Sequence, residues 1–403
     1  MQTPTAAEPG RPVTGLVLTG GGARAAYQVG VLQALFELLD PGRGEGFVNP
    51  FGVVCGSSAG AINAAALACR AADPHRAAMR MRELWESLHT GAVYRDDAAG
   101  LVSTGARWLL MLTLGWLLPP LRRNRPRSLL DNQPLEALLA QSLDFDRLEC
   151  NLASGCLSAL AVSASGYTSG EHLTFYQARH TIAPWRRSLR QAVAARIGVQ
   201  HLMASSAIPF VFPARPLQVG GQVEWCGDGS MRQLAPISPA IHLGADRVLV
   251  IGTGYRDDTH PERRLRDPGY PSLAQIGGHA LSNIFLDSVA MDIERLERAN
   301  QVLEAAPQVG GPAGLRHVKA LSLSPSQSLD DLALAHMHSL PRAVRLLFRV
   351  LGVSAETGQR AGGSLLSYLL FERSYTHALI ELGYADTMRR TEAVHAFFKE
   401  PPA

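Results

Sequence analysis

Apolar positions along the chain follow two periods. Leu16-Val17-Leu18 is a short β-type run that stops at Gly20-Gly21-Gly22. From Ala25 to Leu39 the apolar residues Val29, Leu32, Leu35, Phe36 and Leu39 recur at helical spacing, and Pro41-Gly42 ends the segment. Phe51–Cys55 is a second strand-type run, followed by the small-residue helical run Ala61–Ala68. This order of strand, helix, strand, helix predicts a parallel sheet covered by helices. Further along, Arg76–Leu88 and Leu101–Leu118 read as helices, Leu157–Val162 as a buried strand and His172–Tyr176 as its edge hairpin partner. Ala192–Ser206 reads as a helix broken at Ile208-Pro209, Val223–Cys226 as a strand, Pro239–Leu243 as a short helix and Arg247–Ile251 as a central strand.

Beyond Tyr255 the composition shifts. Tyr255–Pro271 is charged and contains Pro and Gly, as exposed loops do. Ser272–Glu304 carries one long helical pattern, Val318–Leu323 reads as a last strand, and helical periodicity then runs to Phe398. The expected organisation is a flexible N-terminus over 1–14, a core unit over 15–255, and a mainly helical region over 256–403 packed on that core.

The chain has 403 residues, 46% apolar and 18% charged, enough for a sizeable core. A net charge of +3 and 6% aromatic residues give no footing for nucleic-acid binding. The five cysteines are odd in number and none are spaced as C-x-x-C, so no disulfide framework or thiolate metal site is expected, and small buried thiols are. Met1–Arg11 has no apolar signal-like stretch, and no run reaches the ~20 apolar residues of a spanning helix. The expectation is a cytoplasmic protein. The apolar run Trp108–Leu118 is followed by Arg122, Arg123, Arg125 and Arg127. Residues 107–127 therefore read either as a buried or capping helix or as a peripheral contact with anionic lipid at the inner face of a membrane.

Three segments carry chemistry. Gly56-Ser57-Ser58-Ala59-Gly60 lies between a strand and a helix, where a sharp turn can hold the Ser58 hydroxyl out at a helix N-terminus. Gly20-Gly21-Gly22-Ala23-Arg24 also joins a strand to a helix, so its backbone N–H groups can converge on an anion. Arg24 would add charge or fix the loop. Asp228-Gly229-Ser230 follows a strand, and a partly desolvated aspartate there could take a proton from a serine. A nucleotide site competes for the glycine loop. Against it, Ala25 stands where a third glycine is needed, and Glu45 precedes the second strand rather than ending it.

Together these residues resemble the patatin-like phospholipases, a family of lipid acyl hydrolases. The similarity runs from about Leu16 to Gly254 and is carried by Gly20–Leu32, Gly56–Ala64 and Asp228–Ser230. The resemblance implies a three-layer α/β/α fold with a central, mostly parallel sheet and no cofactor or metal. It implies Ser58 as nucleophile, Asp228 as its base without a histidine, and an oxyanion hole from Gly20, Gly21 and Gly22 with Arg24 near it. Gly56, Gly60 and Gly229 would support the two motifs, and a phospholipid or other lipid ester would be the substrate. Ser230 stands where the family's Asp-Gly motif usually continues with Gly or Ala. Two readings stay open beside this one. A Ser-His-Asp esterase would recruit His201, His242 or His279. A non-catalytic membrane-docking protein would use the basic-apolar segment and the helical C-terminus.

Overall fold

Strands β1 (Thr14–Leu18), β2 (Val53–Ser57) and β3 (Ala159–Gly166) are buried along their whole length, as strands covered on both faces are. In the computed structural model of the chain, which describes residues 12–44, 46–95, 128–255, 272–285, 287–305, 316–353 and 362–399, they form the middle of one sheet. The remaining strands are β4 (His172–Ala178), β5 (Arg186–Arg187), β6 (Arg190–Ala194), β7 (Arg215–Val219), β8 (Gln222–Gly227), β9 (Arg247–Ile251) and β10 (Lys319–Leu323). The order is β10-β9-β1-β2-β3-β4-β6-β5. From β10 to β3 all neighbours are parallel, whereas β4 returns antiparallel on β3. The β7–β8 hairpin hangs from the end of β3, with Ser165 opposite Gly227 and Gly166 opposite Cys226. Helices cover the sheet, so the fold is the α/β architecture expected.

Three local expectations are corrected. The segment 192–206 is not one helix: β6 covers its start, and a helix over Val199–Ser205 begins after Gly198. Ala-rich sequence suits either state, and pairing with β4 uses backbone groups that would otherwise stay unmatched. For the same reason β4 is an interior strand rather than an edge. The run 272–304 is helical over Leu273–Phe285 and Asp287–Ala305, in line with its periodicity. Of the cysteines, Cys150 is exposed; the other four are buried.

Helices α1 (Ala26–Leu39), α2 (Ala59–Ala68) and α3 (Pro74–Ser87) pack over the face behind the first two loops. They are tied by buried amides. Asn63 donates to Ala25 O and Gln28 Oε1 and accepts from Trp85 Nε1, while Gln28 donates to Thr19 O. Residues after 255 add to the same core. β10 extends the sheet beside β9, and Arg247 of β9 donates to the carbonyls of Phe397 and Phe398. The helix Arg373–Arg389 lies on α1 at backbone contact: a Cβ on Gly30 would sit 1.8 Å from Ile380 O, and one on Gly383 would sit 2.1 Å from Tyr27 O. Among the described residues no helix is long and apolar enough to cross a membrane. The segment 107–127, with the rest of Leu101–Leu118, lies outside the described residues.

Candidate active site

The β2–α2 turn is closely packed. Ser58 sits there with φ 54° and ψ −130°, a conformation that costs a non-glycine residue about 1–3 kcal/mol. The glycines on either side make the turn sterically feasible. A Cβ on Gly56 would lie 2.5 Å from Ala61 Cα and Gly60 O, and one on Gly60 would lie 2.3 Å from Leu18 O. The Ser58 N–H donates to Ser205 Oγ at 2.8 Å, so the turn is also held from the opposite side of the site.

The strand β8 delivers Asp228 to this point. Ser58 Oγ donates to Asp228 Oδ2 at 2.6 Å, across 170 residues of sequence. Asp228 Oδ1 accepts from Ser230 N–H at 2.8 Å. The backbone behind the carboxyl is fixed by Asp228 N–H to Ala207 O and Gly229 N–H to Ser205 O. Gly229 is needed because a Cβ there would lie 2.1 Å from Ser163 O. Asp228 is fully buried, and desolvation raises its pKa from 3.8 to about 7 despite the hydrogen bonds from Ser58 and Ser230.

The glycine loop closes the third side. Gly22 has φ 54° and presses on the carbonyl of Tyr368, and Gly21 backs onto Thr253. Among the described residues no acceptor takes the N–H of Gly20, Gly21 or Gly22. Arg24 is 3% exposed, and its guanidinium turns to the C-terminal region. It donates to Ser367 Oγ at 2.8 Å, contacts Asp330 Oδ1, and lies 4.1 Å over the Tyr368 ring. These contacts tie the glycine loop to the C-terminal region.

Beside Ser58 lies a cavity of about 40 Å³, walled by Ile62, Trp85, Leu88, Leu139, Phe212 and Phe371 among others. That is a few times the ~10–15 Å³ that one water needs, far too little for an acyl chain. Ser58 itself is 1% exposed. Buried Ser206 faces this cavity, and its Oγ has no partner among the described residues. The larger cavity, about 460 Å³ around Arg70, Arg76 and Arg147, is lined by polar and apolar side chains alike and lies further along α2 and α3.

No histidine bonds to Ser58 or Asp228 among the described residues. His201 accepts from Gly198 N–H and packs on Phe175, His242 stacks on Trp185, and His279 is exposed. Three nearby residues carried no sequence signal. Ser205 receives the Ser58 N–H, Asp330 receives Arg24, and His172 donates from Nε2 to Gly229 O at 3.2 Å. Burial pushes the His172 pKa down to about 4. Among the described residues no cluster of three or more His, Cys, Asp or Glu side chains could hold a metal.

A family model described as patatin-like phospholipase matches residues 16–241. Among solved structures the chain is similar to VipD from Legionella pneumophila, at 15% identity and a TM-score of 0.35, over 96% of this chain and 69% of that one. It is also similar to human GIVD cytosolic phospholipase A2 in complex with a fluorophosphonate inhibitor, at 14% identity and a TM-score of 0.42. That alignment covers 96% of this chain and 59% of the human one, so the chain spans well under the full length of that relative. No curated protein matches the chain in sequence.

Proposed function

The chain belongs to the patatin-like phospholipase family, and we propose that it is a lipid acyl hydrolase working through Ser58 and Asp228. The observation that carries this reading is the 2.6 Å bond from Ser58 Oγ to a buried carboxyl whose pKa is raised to about 7. A base that titrates near neutral pH combines a useful ionised fraction with real proton affinity. Asp228 takes the hydroxyl proton as Ser58 Oγ attacks the ester carbonyl carbon. The carbonyl electrons move to oxygen, and the free N–H groups of Gly20–Gly22 point to where that charge is held. On collapse the ester C–O bond breaks, and the alcohol leaves with the proton from Asp228. Water then attacks the acyl-Ser58 ester, giving its proton to Asp228; the acyl–Oγ bond breaks, Ser58 Oγ takes that proton back, and a fatty acid is released.

The apolar wall beside Ser58 suits an acyl chain rather than a polar acyl group, and it must part to admit one. This supports a lipid ester as the substrate class. A Ser-His-Asp mechanism is not supported, since His201, His242 and His279 are all engaged or placed elsewhere. Fluorophosphonate labelling tests the reading. Wild type should label at one serine and Ser58→Ala should not. Equal labelling of the two proteins would remove Ser58 from the mechanism, and full esterase activity in Asp228→Asn would remove the aspartate.

A further inference from the structure

The helix Arg342–Val350 carries three stripes. Val344 and Phe348, one turn apart, are buried against the protein. Leu346, Leu347 and Val350 form a second stripe and face solvent; Leu346 is 62% and Val350 76% exposed. Arg342, Arg345 and Arg349 form the third, at the same helical spacing. Arg345 reaches the carbonyl of His338, whereas Arg342 and Arg349 have no partner among the described residues. Between Asp331 and Glu356 the sequence has no acidic residue at all.

Single exposed apolar residues are ordinary on a soluble protein, but three within one turn beside an all-cationic stripe are not. A solvated helix would offset its arginines with carboxylates at i±4, and this one has none to offer. The combination matches one kind of surface, apolar at acyl-chain depth and anionic at headgroup level. The preceding helix, Leu329–His336, carries Asp330, the partner of Arg24 beside the glycine loop.

We propose that Arg342–Val350 is the element by which the protein docks on anionic lipid bilayers, with Leu346 and Val350 inserted and the arginines on headgroup phosphates. This rests on the lipid substrate proposed above. The test is co-sedimentation with phosphatidylglycerol vesicles and with phosphatidylcholine vesicles, run on the Ser58→Ala protein as well. Wild type should bind the anionic vesicles and weaken in 0.5 M salt, roughly as a Debye length of a few ångströms requires. Arg342→Gln/Arg349→Gln should lose about 25-fold in partitioning, about fivefold for each charge. Leu346→Asp/Val350→Asp should lose about 100-fold. Hydrolysis of a soluble short-chain ester should be unchanged in both double variants.

Vesicle binding by Leu346→Asp/Val350→Asp at the wild-type level would overturn the proposal, as would equal wild-type binding to both vesicle types. A wild-type dimer that becomes monomeric in Leu346→Asp/Val350→Asp, with no vesicle binding by either, would assign the face to a second copy of the chain and overturn it too. Failure of fluorophosphonate labelling would count against the hydrolase reading alone, because vesicle binding is read independently of Ser58.

Discussion

Asp228→Asn should make the folded protein more stable at pH 8 while abolishing its activity. The substitution is nearly isosteric, and the bond from Ser230 N–H to Oδ1 survives it. What it removes is a charge held in a fully buried position. The carboxyl's pKa rises from 3.8 to about 7 on folding. At 1.36 kcal/mol per pH unit, the ionised group burdens the folded state by about 4 kcal/mol. The sign follows from proton binding. Between about pH 4 and pH 7 the folded protein holds a proton that the unfolded chain has lost, so wild-type stability falls as pH rises through that window and levels off above it. The variant has no such slope. The new Nδ2 donor facing Ser58 Oγ disturbs one hydrogen bond, a loss of about 1 kcal/mol. The net gain is about 3 kcal/mol at pH 8, shrinking to about zero near pH 4. Urea unfolding of both proteins at pH 4.5, 6 and 8 measures this, with esterase kcat expected to drop about 1000-fold. A variant no more stable than wild type at pH 8, or a difference independent of pH, would mean that Asp228 carries no buried charge, and the base would lose its physical basis.

In wild type kcat/KM should rise with pH along a limb centred near 7, the ionisation of Asp228 in the free enzyme; a flat profile between pH 5.5 and 8.5 would contradict the assignment. Asp330→Ala should slow fluorophosphonate labelling and lower kcat about tenfold with KM little changed, because Arg24 loses the partner that holds the glycine loop; restoration by Asp330→Glu separates positioning from general loss of fold. His172 is buried with its pKa depressed to about 4, so it favours folding above about pH 6.5 and that contribution is lost as pH falls toward 4; His172→Gln should flatten this acid limb in the unfolding midpoint. Gly229→Ala drives a methyl group to 2.1 Å from Ser163 O and should cost about 3 kcal/mol in urea unfolding, with activity lost as Asp228 is displaced.

The turn at Ser58, the Asp-Gly step after β8 and the glycine loop are legible in the sequence because each has a local requirement. A nucleophile turn needs Gly56 and Gly60 whatever the rest of the chain does, and an aspartate meant for a cleft is followed by a glycine that lets the chain leave. Ser205, His172 and Asp330 have no such local requirement. Ser205 meets Ser58 across 147 residues and Asp330 meets Arg24 across 306, so their roles exist only in the folded chain. The fold behaves likewise. β1, β2 and β9 show as apolar runs because they are buried on both faces. β6 does not, because its identity comes from pairing with β4 rather than from its own Arg-Gln-Ala-Val-Ala sequence. Periodicity predicts the helix at 342–350, but which of its apolar residues face outward depends on what Val344 and Phe348 pack against.

The crossing of α1 with the helix Arg373–Arg389 has a consequence for inheritance and engineering alike. Gly30 lies inside the stretch matched by the family model and Gly383 lies outside it, yet each occupies space that the other helix's backbone leaves free. The two glycines act as one compound character. A chimaera that joins this chain's residues 16–241 to a C-terminal portion of other origin will be accepted only if the newcomer brings a helix with a gap at the position of Gly383. A single methyl group at either site is thus a stricter gatekeeper of recombination than the identity of any linker between the two regions.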